Sequence, residues 1–331
     1  MKLARFDREQ GTKDWCVVVE AEAFDFRLVE PGFPSELTDV DVLSQVLMRQ
    51  QFRLDALLKM NRSGRLAAQF GYLTRLRADE FPDWRFRLDT LSELWLPPVE
   101  ATSFRDFYAF EAHVRDARKR RGLEMVPEWY DAPAFYFSNT ASIVGHGAAI
   151  RKPAETSELD YELEIAVVIG REGGDISVEE ADEYIAGFTI LNDWSARDIQ
   201  RNEMKVGLGP AKGKDFATSL GPYLVTPDEL EDRVLPNTSR GKRYDLSMTA
   251  SVNGREYSRG NARDMHWTFA ELIAHASRNT VLQAGDLLGS GTVGTGCITE
   301  FPEGTYPWLV PGDVVRLEIE RLGVLENRIF D

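Results

Sequence analysis

The chain has 331 residues, 28% charged and 43% hydrophobic, enough to bury a sizeable core and to divide into one large and one small domain. Its formal net charge of -15 argues against nucleic acid as a partner, because phosphate backbones reward basic surfaces. No apolar run approaches the roughly 20 residues of a membrane span, no apolar stretch of signal-peptide length follows MKLARFDREQ, and Cys16 and Cys297 form no C-x-x-C pair, so a reduced, cytoplasmic setting is expected.

In chain order, the first predicted element is a strand at WCVVVE. A helical pattern follows, in which Val42, Leu43, Val46 and Leu47 lead to Leu54, Leu57 and Leu58. Pro97 and Pro98 close this region, so residues 1–100 read as a small accessory domain and 101–331 as the main one. In SFRDFYAFEAH the residues Phe107, Phe110, Val114 and Ala117 recur at helical spacing. That spacing predicts Asp106 and His113 on one helix face, two turns or roughly 10.5 Å apart.

YELEIAVVIG reads as a strand ending at Gly170. Alternate strand residues face one side about 7 Å apart, so Glu162 and Glu164 should point together while Leu163 and Ile165 enter the core. Ser177-Val178-Glu179-Glu180 is a capping box, predicting a helix that stops at Gly187 with the FTIL strand directly after it. Asp193 ends that strand, and the next helix sets Arg197, Gln200 and Met204 on one face. GPAKGKD invites a phosphate-loop reading that fails, because the glycine spacing is wrong and Asp215 follows Lys214 where Ser or Thr is required.

DLSMTASVNG, VLQAGDLLGS and GDVVRLEIE read as strands joined by Gly-containing turns. Between them, Thr268-Phe269-Ala270-Glu271 is a second capping box, opening a helix through Leu272, Ile273 and Ala276. Strands dominate without regular βαβ alternation. The predicted fold class is therefore α+β, with a β-roll or sandwich as the main domain.

Asp106, Glu162, Glu164 and Asp193 sit in contexts that could bring them to one point. An E-x-E pair on a strand is by itself most often a solvated face. If the four acids do converge, two carboxylates at strand spacing repel by roughly 2–3 kcal/mol at an effective dielectric of 20, so a cation must hold them. All-oxygen ligation selects a hard ion, Mg2+ or Ca2+. Of the histidines, His275 falls on the Thr268 helix and His146 and His266 have no partner motif; His113 alone is spaced for a substrate bound at Asp106 to reach it.

From about Ser103 onward the chain resembles the fumarylacetoacetate hydrolase family. The matching pieces, in the family's order, are SFRDFYAFEAH, FYFSNTASIVGHGAAIRKP, DYELEIAVVIG, FTILNDWSARDIQ, GPAKGKDFATSLGP, GSGTVG and ITEF, of which NDWSARDIQ is the most specific. The resemblance implies a mixed β-sandwich roll. It also implies Asp106, Glu162, Glu164 and Asp193 as metal ligands, with Lys214 and Thr218 as a further ion-and-substrate pair. His113 becomes the water-activating base and Glu300 the group that fixes its tautomer. Arg197 and Gln200 would hold or polarise substrate oxygens, and Tyr108, Arg121, Tyr136, Met204 and Thr292 would lie around the substrate.

Several positions depart from the family pattern. Met204 stands where well-known members carry a tyrosine, FYFSNTAS replaces a stretch containing histidine, glycine and arginine, and Arg121 lies one residue early for the family arginine. The helical N-terminal pattern replaces the usual small β-barrel. The implied activity is metal-dependent hydrolysis of a carbon–carbon bond in an acidic β-diketone, fumarylacetoacetate or a related acylpyruvate, in tyrosine or other aromatic catabolism. A cytoplasmic homodimer is implied, with no membrane or nucleic-acid partner. The alternative is a family decarboxylase or hydratase acting on a 2-oxo acid, which would not need the His113–Glu300 pair. A non-catalytic Ca2+-binding scaffold would have no use for the histidine and lysine, and no D-x-D-x-D-G spacing is present.

Overall fold

The computed structural model describes residues 2–8, 12–19, 22–25, 85–88, 95–120, 122–236 and 239–331. The strands, in order, begin with β1 (Lys2–Arg8), β2 (Thr12–Val19), β3 (Glu22–Asp25), β4 (Arg85–Arg87), β5 (Trp95–Leu96), β6 (Phe104–Phe107) and β7 (Phe135–Phe137). Next come β8 (Ile143–Val144), β9 (Ala149–Arg151), β10 (Leu159–Asp160), β11 (Leu163–Ile169), β12 (Gly173–Gly174), β13 (Ile185–Asp193) and β14 (Ser195–Ala196). The last are β15 (Thr218–Val225), β16 (Ser247–Val252), β17 (Arg255–Asn261), β18 (Val281–Leu282), β19 (Leu287–Gly289), β20 (Val314–Ile319) and β21 (Gly323–Phe330). Among the described residues the α-helices are α1 (Glu111–Arg120), α2 (Val178–Ala181), α3 (Arg197–Glu203) and α4 (Phe269–Ala276).

The large sheet runs β4-β3-β2-β1-β15-β13-β11-β19-β6-β7, with β5 on β1 and β8 on β15. A second sheet runs β17-β16-β20-β21-β9. The Val/Ile/Leu-rich run of β11 and the largely apolar IAGFTIL of β13 make both central strands, and every residue of both is buried. By contrast, β16 and β20 alternate buried and open positions, which marks strands with one face on the core. Their buried side chains, Met248, Ala250, Val252, Val315, Leu317 and Ile319, join Leu163, Ile165 and Val167 of β11 in one apolar cluster. The two sheets thus share a core. The result is the expected strand-dominated α+β architecture, and parallel pairs such as β19–β6 and β21–β9 within otherwise antiparallel sheets make them mixed.

β1 pairs antiparallel with β15, Leu3 opposite Leu224, so the sheet runs on across the Pro97-Pro98 boundary drawn from composition. The predicted helical stretch from Val42 to Leu58 lies outside the described residues. Among those described, no helix is long and apolar enough to cross a membrane.

The two capping boxes fare differently. At α4 both halves are present: Glu271 N–H donates to the Thr268 hydroxyl at 3.3 Å, and Thr268 N–H donates to the Glu271 carboxylate at 2.9 Å. At α2 the Ser177 hydroxyl instead donates to the Glu180 carboxylate, and the helix stops at Ala181 rather than at Gly187. Pairing across the sheet overrides the local signal, because Ile185 and Gly187 already lie in β13, opposite Ile169 and Val168 of β11. Gly187 is therefore no helix stop. A Cβ there would sit 2.7 Å from a Leu224 methyl, so the glycine serves close packing against β15.

Candidate active site

Strand register assembles the acidic cluster. β19 runs between β11 and β6, with Gly289 opposite both Ala166 and Asp106. A Cβ at Gly289 would stand 2.5 Å from Asp106 Oδ1 and 3.2 Å from Glu164 Oε2, so the missing side chain is what lets those two carboxylates meet over the strand. Asp106, Glu162 and Glu164 are all buried and bring oxygens within 4.8 Å of one another. Gly291, in the left-handed region at φ 75°, turns its N–H to Glu164 Oε2 at 3.1 Å.

Asp106 does not share a helix face with His113, contrary to the spacing argument. It lies on β6, while His113 enters in the first turn of α1. The helical period across Phe107 and Phe110 arises from a strand end and a connecting turn, both of which bury their aromatic rings.

Asp193 ends β13 opposite Thr218 at the start of β15. Its Oδ2 accepts from Lys214 Nζ at 2.8 Å and from the Tyr136 hydroxyl, and its Oδ1 faces Thr218 Oγ1 at 3.5 Å. Lys214 donates also to Glu162, whose other oxygen lies 2.9 Å from Arg197 Nη2. Burial would push Glu162 up, but Lys214 and Arg197 together hold it at about 2. For Asp106 and Glu164, burial followed by repulsion from neighbouring carboxylates holds both well above the usual carboxylate range. Burial would lower Lys214, yet Asp193 and Glu162 keep it firmly protonated.

These features fit a hard divalent cation. Among the described residues, Asp106 Oδ1 and Glu164 Oε1 are buried without a hydrogen-bond partner, and orphaned carboxylate oxygens in a protein interior are costly. Every nearby acidic donor is an oxygen, and a cation among them would relieve both the repulsion and the unmet bonding.

His113 Nδ1 lies 3.0 Å from Glu300 Oε1, both side chains buried. Glu300 closes a 3-10 turn, Ile298–Glu300. Arg120, at the far end of α1, donates to the carbonyls of Glu300 and Phe301 and so ties the turn to the helix that carries His113. The Tyr108 ring meets the His113 ring edge-on at 5.3 Å. Cys297 Sγ is 3.5 Å from Glu300 Oε2.

Arg197 looks inward, but its guanidinium is already engaged: Nε donates to Asp160 at 2.8 Å and Nη1 to Gln200 Oε1 at 3.1 Å. Met204 lies past the end of α3 and is 44% exposed, so the helix-face reading holds for Arg197 and Gln200 better than for Met204. Thr292 is buried in the loop after β19. Arg121 lies outside the described residues. Sequence reasoning missed Asp160, whose carboxylate also accepts from the Ile298 and Thr299 N–H groups and so links α3 to the Glu300 turn. An acid two residues before Glu162 was the available signal. Arg120 and Gly289 offered none, because their roles rest on contacts made across long stretches of chain.

The family described as fumarylacetoacetate (FAA) hydrolase C-terminal matches residues 102–330, and the chain belongs to it. It is similar to the fumarylacetoacetase of Mus musculus, 33% identical over 258 residues, which is 66% of this chain and 61% of that protein. It is also similar to the oxaloacetate tautomerase YisK of Bacillus subtilis (strain 168), 32% identical over 246 residues, 72% of this chain and 74% of that one. The chain spans about three fifths of the length of the fumarylacetoacetases it matches. Among solved structures, the fumarylacetoacetate hydrolase of Exiguobacterium antarcticum has a TM-score of 0.68 at 23% identity, covering 100% of this chain and 99% of that one. Fumarylpyruvate hydrolase of Pseudomonas aeruginosa, solved with Mn2+ and pyruvate, has a TM-score of 0.56 at 22% identity, covering 70% and 91%. At these identities the two structures speak for the fold alone.

Proposed function

We propose that the protein hydrolyses a carbon–carbon bond in an acidic β-diketone, fumarylacetoacetate or a related acylpyruvate, with Mg2+ or Ca2+ held by Asp106, Glu162, Glu164 and Asp193. The observation that carries the reading is the buried His113–Glu300 pair in a fold that also gathers a carboxylate cluster. When bound, the cation supplies Lewis-acid polarisation of substrate oxygens. With Nδ1 turned to Glu300, His113 offers Nε2 to take a proton from water, and Glu300 stabilises the imidazolium that forms. Lys214, fixed as a cation between Glu162 and Asp193, supplies positive charge for a developing oxyanion, and the Gln200 amide supplies hydrogen bonds. Arg197 acts by orienting Glu162 and Gln200. Thr218 and Tyr136 hold Asp193. The same reading carries a cytoplasmic homodimer.

The likeness to oxaloacetate tautomerase favours a second reading, proton transfer on a 2-oxo acid without bond cleavage. One assay separates the two. Enol absorbance of fumarylacetoacetate, simple acylpyruvates and oxaloacetate is followed with and without Mg2+, and the products are identified. Two carboxylic acid fragments from a diketone support hydrolysis. Keto–enol exchange with no fragmentation of any diketone sinks it.

A further inference from the structure

A second cluster of ligand-type side chains is built from softer atoms than the carboxylates. His113, Cys297 and Glu300 place an imidazole nitrogen, a thiol sulfur and a carboxylate oxygen within 4.8 Å of one another, all buried. His113 Nδ1 and Glu300 Oε1 lie 3.0 Å apart, yet neither atom makes a well-directed hydrogen bond among the described residues. Cys297 Sγ reaches the other Glu300 oxygen at 3.5 Å. The hydrolytic reading uses the histidine and the glutamate and leaves the thiol idle.

A nitrogen, sulfur and oxygen set at this spacing suits Zn2+. Its bonds of about 2.0–2.3 Å put tetrahedral ligands roughly 3.3–3.8 Å apart, which small side-chain shifts here would supply. Mg2+ and Ca2+ do not favour thiolate, so the hard ion of the carboxylate cluster does not compete for the position. We propose that His113, Cys297 and Glu300 form a separate site for a thiophilic divalent cation such as Zn2+, and that its occupancy switches the enzyme off.

The switch follows from proton positions. Facing Glu300, Nδ1 carries the ring proton and Nε2 keeps its free electron pair. Zn2+ binding forms bonds to Nδ1, to a Glu300 oxygen and to Sγ. The S–H bond breaks and its proton goes to solvent; the ring proton leaves Nδ1, and Nε2 takes one up from solvent. The imidazole stays neutral, and one proton is released per cation. With Nε2 protonated, His113 cannot accept a proton from water. Binding stands on the geometry alone, whereas inhibition rests on His113 being the base.

The test titrates Co2+ and Zn2+ into Mg2+-loaded enzyme, comparing wild type with Cys297→Ala, Cys297→Ser and Cys16→Ser. In wild type and Cys16→Ser, Co2+ should give a near-ultraviolet thiolate charge-transfer band saturating at one ion per chain, and Zn2+ should inhibit. Both Cys297 variants should lose the band, keep Mg2+-supported turnover, and require Zn2+ concentrations roughly tenfold to a hundredfold higher for inhibition, an effect at least that of losing an outer-shell partner. No band in wild type overturns the site. Equal Zn2+ inhibition of wild type and Cys297→Ala also overturns it, since displacement of Mg2+ from the carboxylates would then explain the loss. A normal Co2+ band with undiminished turnover leaves the site standing but overturns the switch, and it removes His113 as the base, so it counts against the hydrolytic reading as well.

Discussion

Replacing Gly289 with alanine places a methyl group where the acidic cluster closes. The new Cβ would stand 2.5 Å from Asp106 Oδ1, 3.3 Å from Asp106 Cγ and 3.2 Å from Glu164 Oε2, against ordinary contacts of 3.4–4 Å. Both carboxylates are buried and β19 is hydrogen-bonded on both edges, so neither side can yield freely. Overpacking of this kind costs about 1–3 kcal/mol. If Asp106 and Glu164 bear the strain by moving apart, that cost appears in cation binding as an affinity loss of roughly 5- to 150-fold, since 1.4 kcal/mol is one decade. Calorimetric titration with Mg2+ and Mn2+ measures this directly. Melting curves in chelator and in saturating Mg2+ separate it from general destabilisation, because the stabilisation gained on adding metal should shrink. A Gly289→Ala protein with wild-type metal affinity and a full metal-dependent rise in Tm would refute the claim that β19 sets the spacing of the cluster.

The pH dependence of stability should differ between metal-free and metal-bound protein. Asp106 and Glu164, raised first by burial and then by their neighbours, bind more protons folded than unfolded, so metal-free stability should fall as pH rises above about 4. Glu162, held at about 2, contributes stability lost only as pH falls from about 4.5 towards that value, outside the test window. Melts at about pH 5 and pH 8 should show the gap between Mg2+-bound and metal-free protein widening with pH; a narrowing gap contradicts the assignment. His113→Gln should lower turnover by roughly 10²–10⁴ while Mg2+ affinity stays near normal, and unchanged turnover in stopped-flow or steady-state assays removes His113 from the chemistry. Met204 cannot donate a tyrosine's hydrogen bond, so short acylpyruvates should be hydrolysed within about tenfold of fumarylacetoacetate, and Met204→Tyr should widen that gap. A thousandfold wild-type preference for fumarylacetoacetate in kcat/KM would mean that other residues read its distal carboxylate.

Features set by neighbours in the chain were legible from the sequence. The alternation in YELEIAVVIG set Glu162 and Glu164 to point together, and they do, with Glu162 just before β11 and Glu164 on it; the change from apolar run to polar helix placed Asp193 at a strand end, and Thr268 with Glu271 announced α4. Each depends on backbone geometry over a few residues, which side-chain type alone can specify. The tertiary structure decided the rest. Phe107 and Phe110 fit a helical period, yet β19 and β7 claim residues 104–107 as a strand, because an apolar segment takes the form its hydrogen-bonding neighbours offer. Pairing with β11 likewise shortened α2. Gly289 matters only because its two neighbouring strands carry Asp106 and Glu164 opposite or near it, and Glu300 becomes the partner of His113 because Arg120 and Asp160 fasten the 298–300 turn in place. Those contacts join residues more than 100 positions apart, and no local pattern encodes the register or docking that brings such residues together.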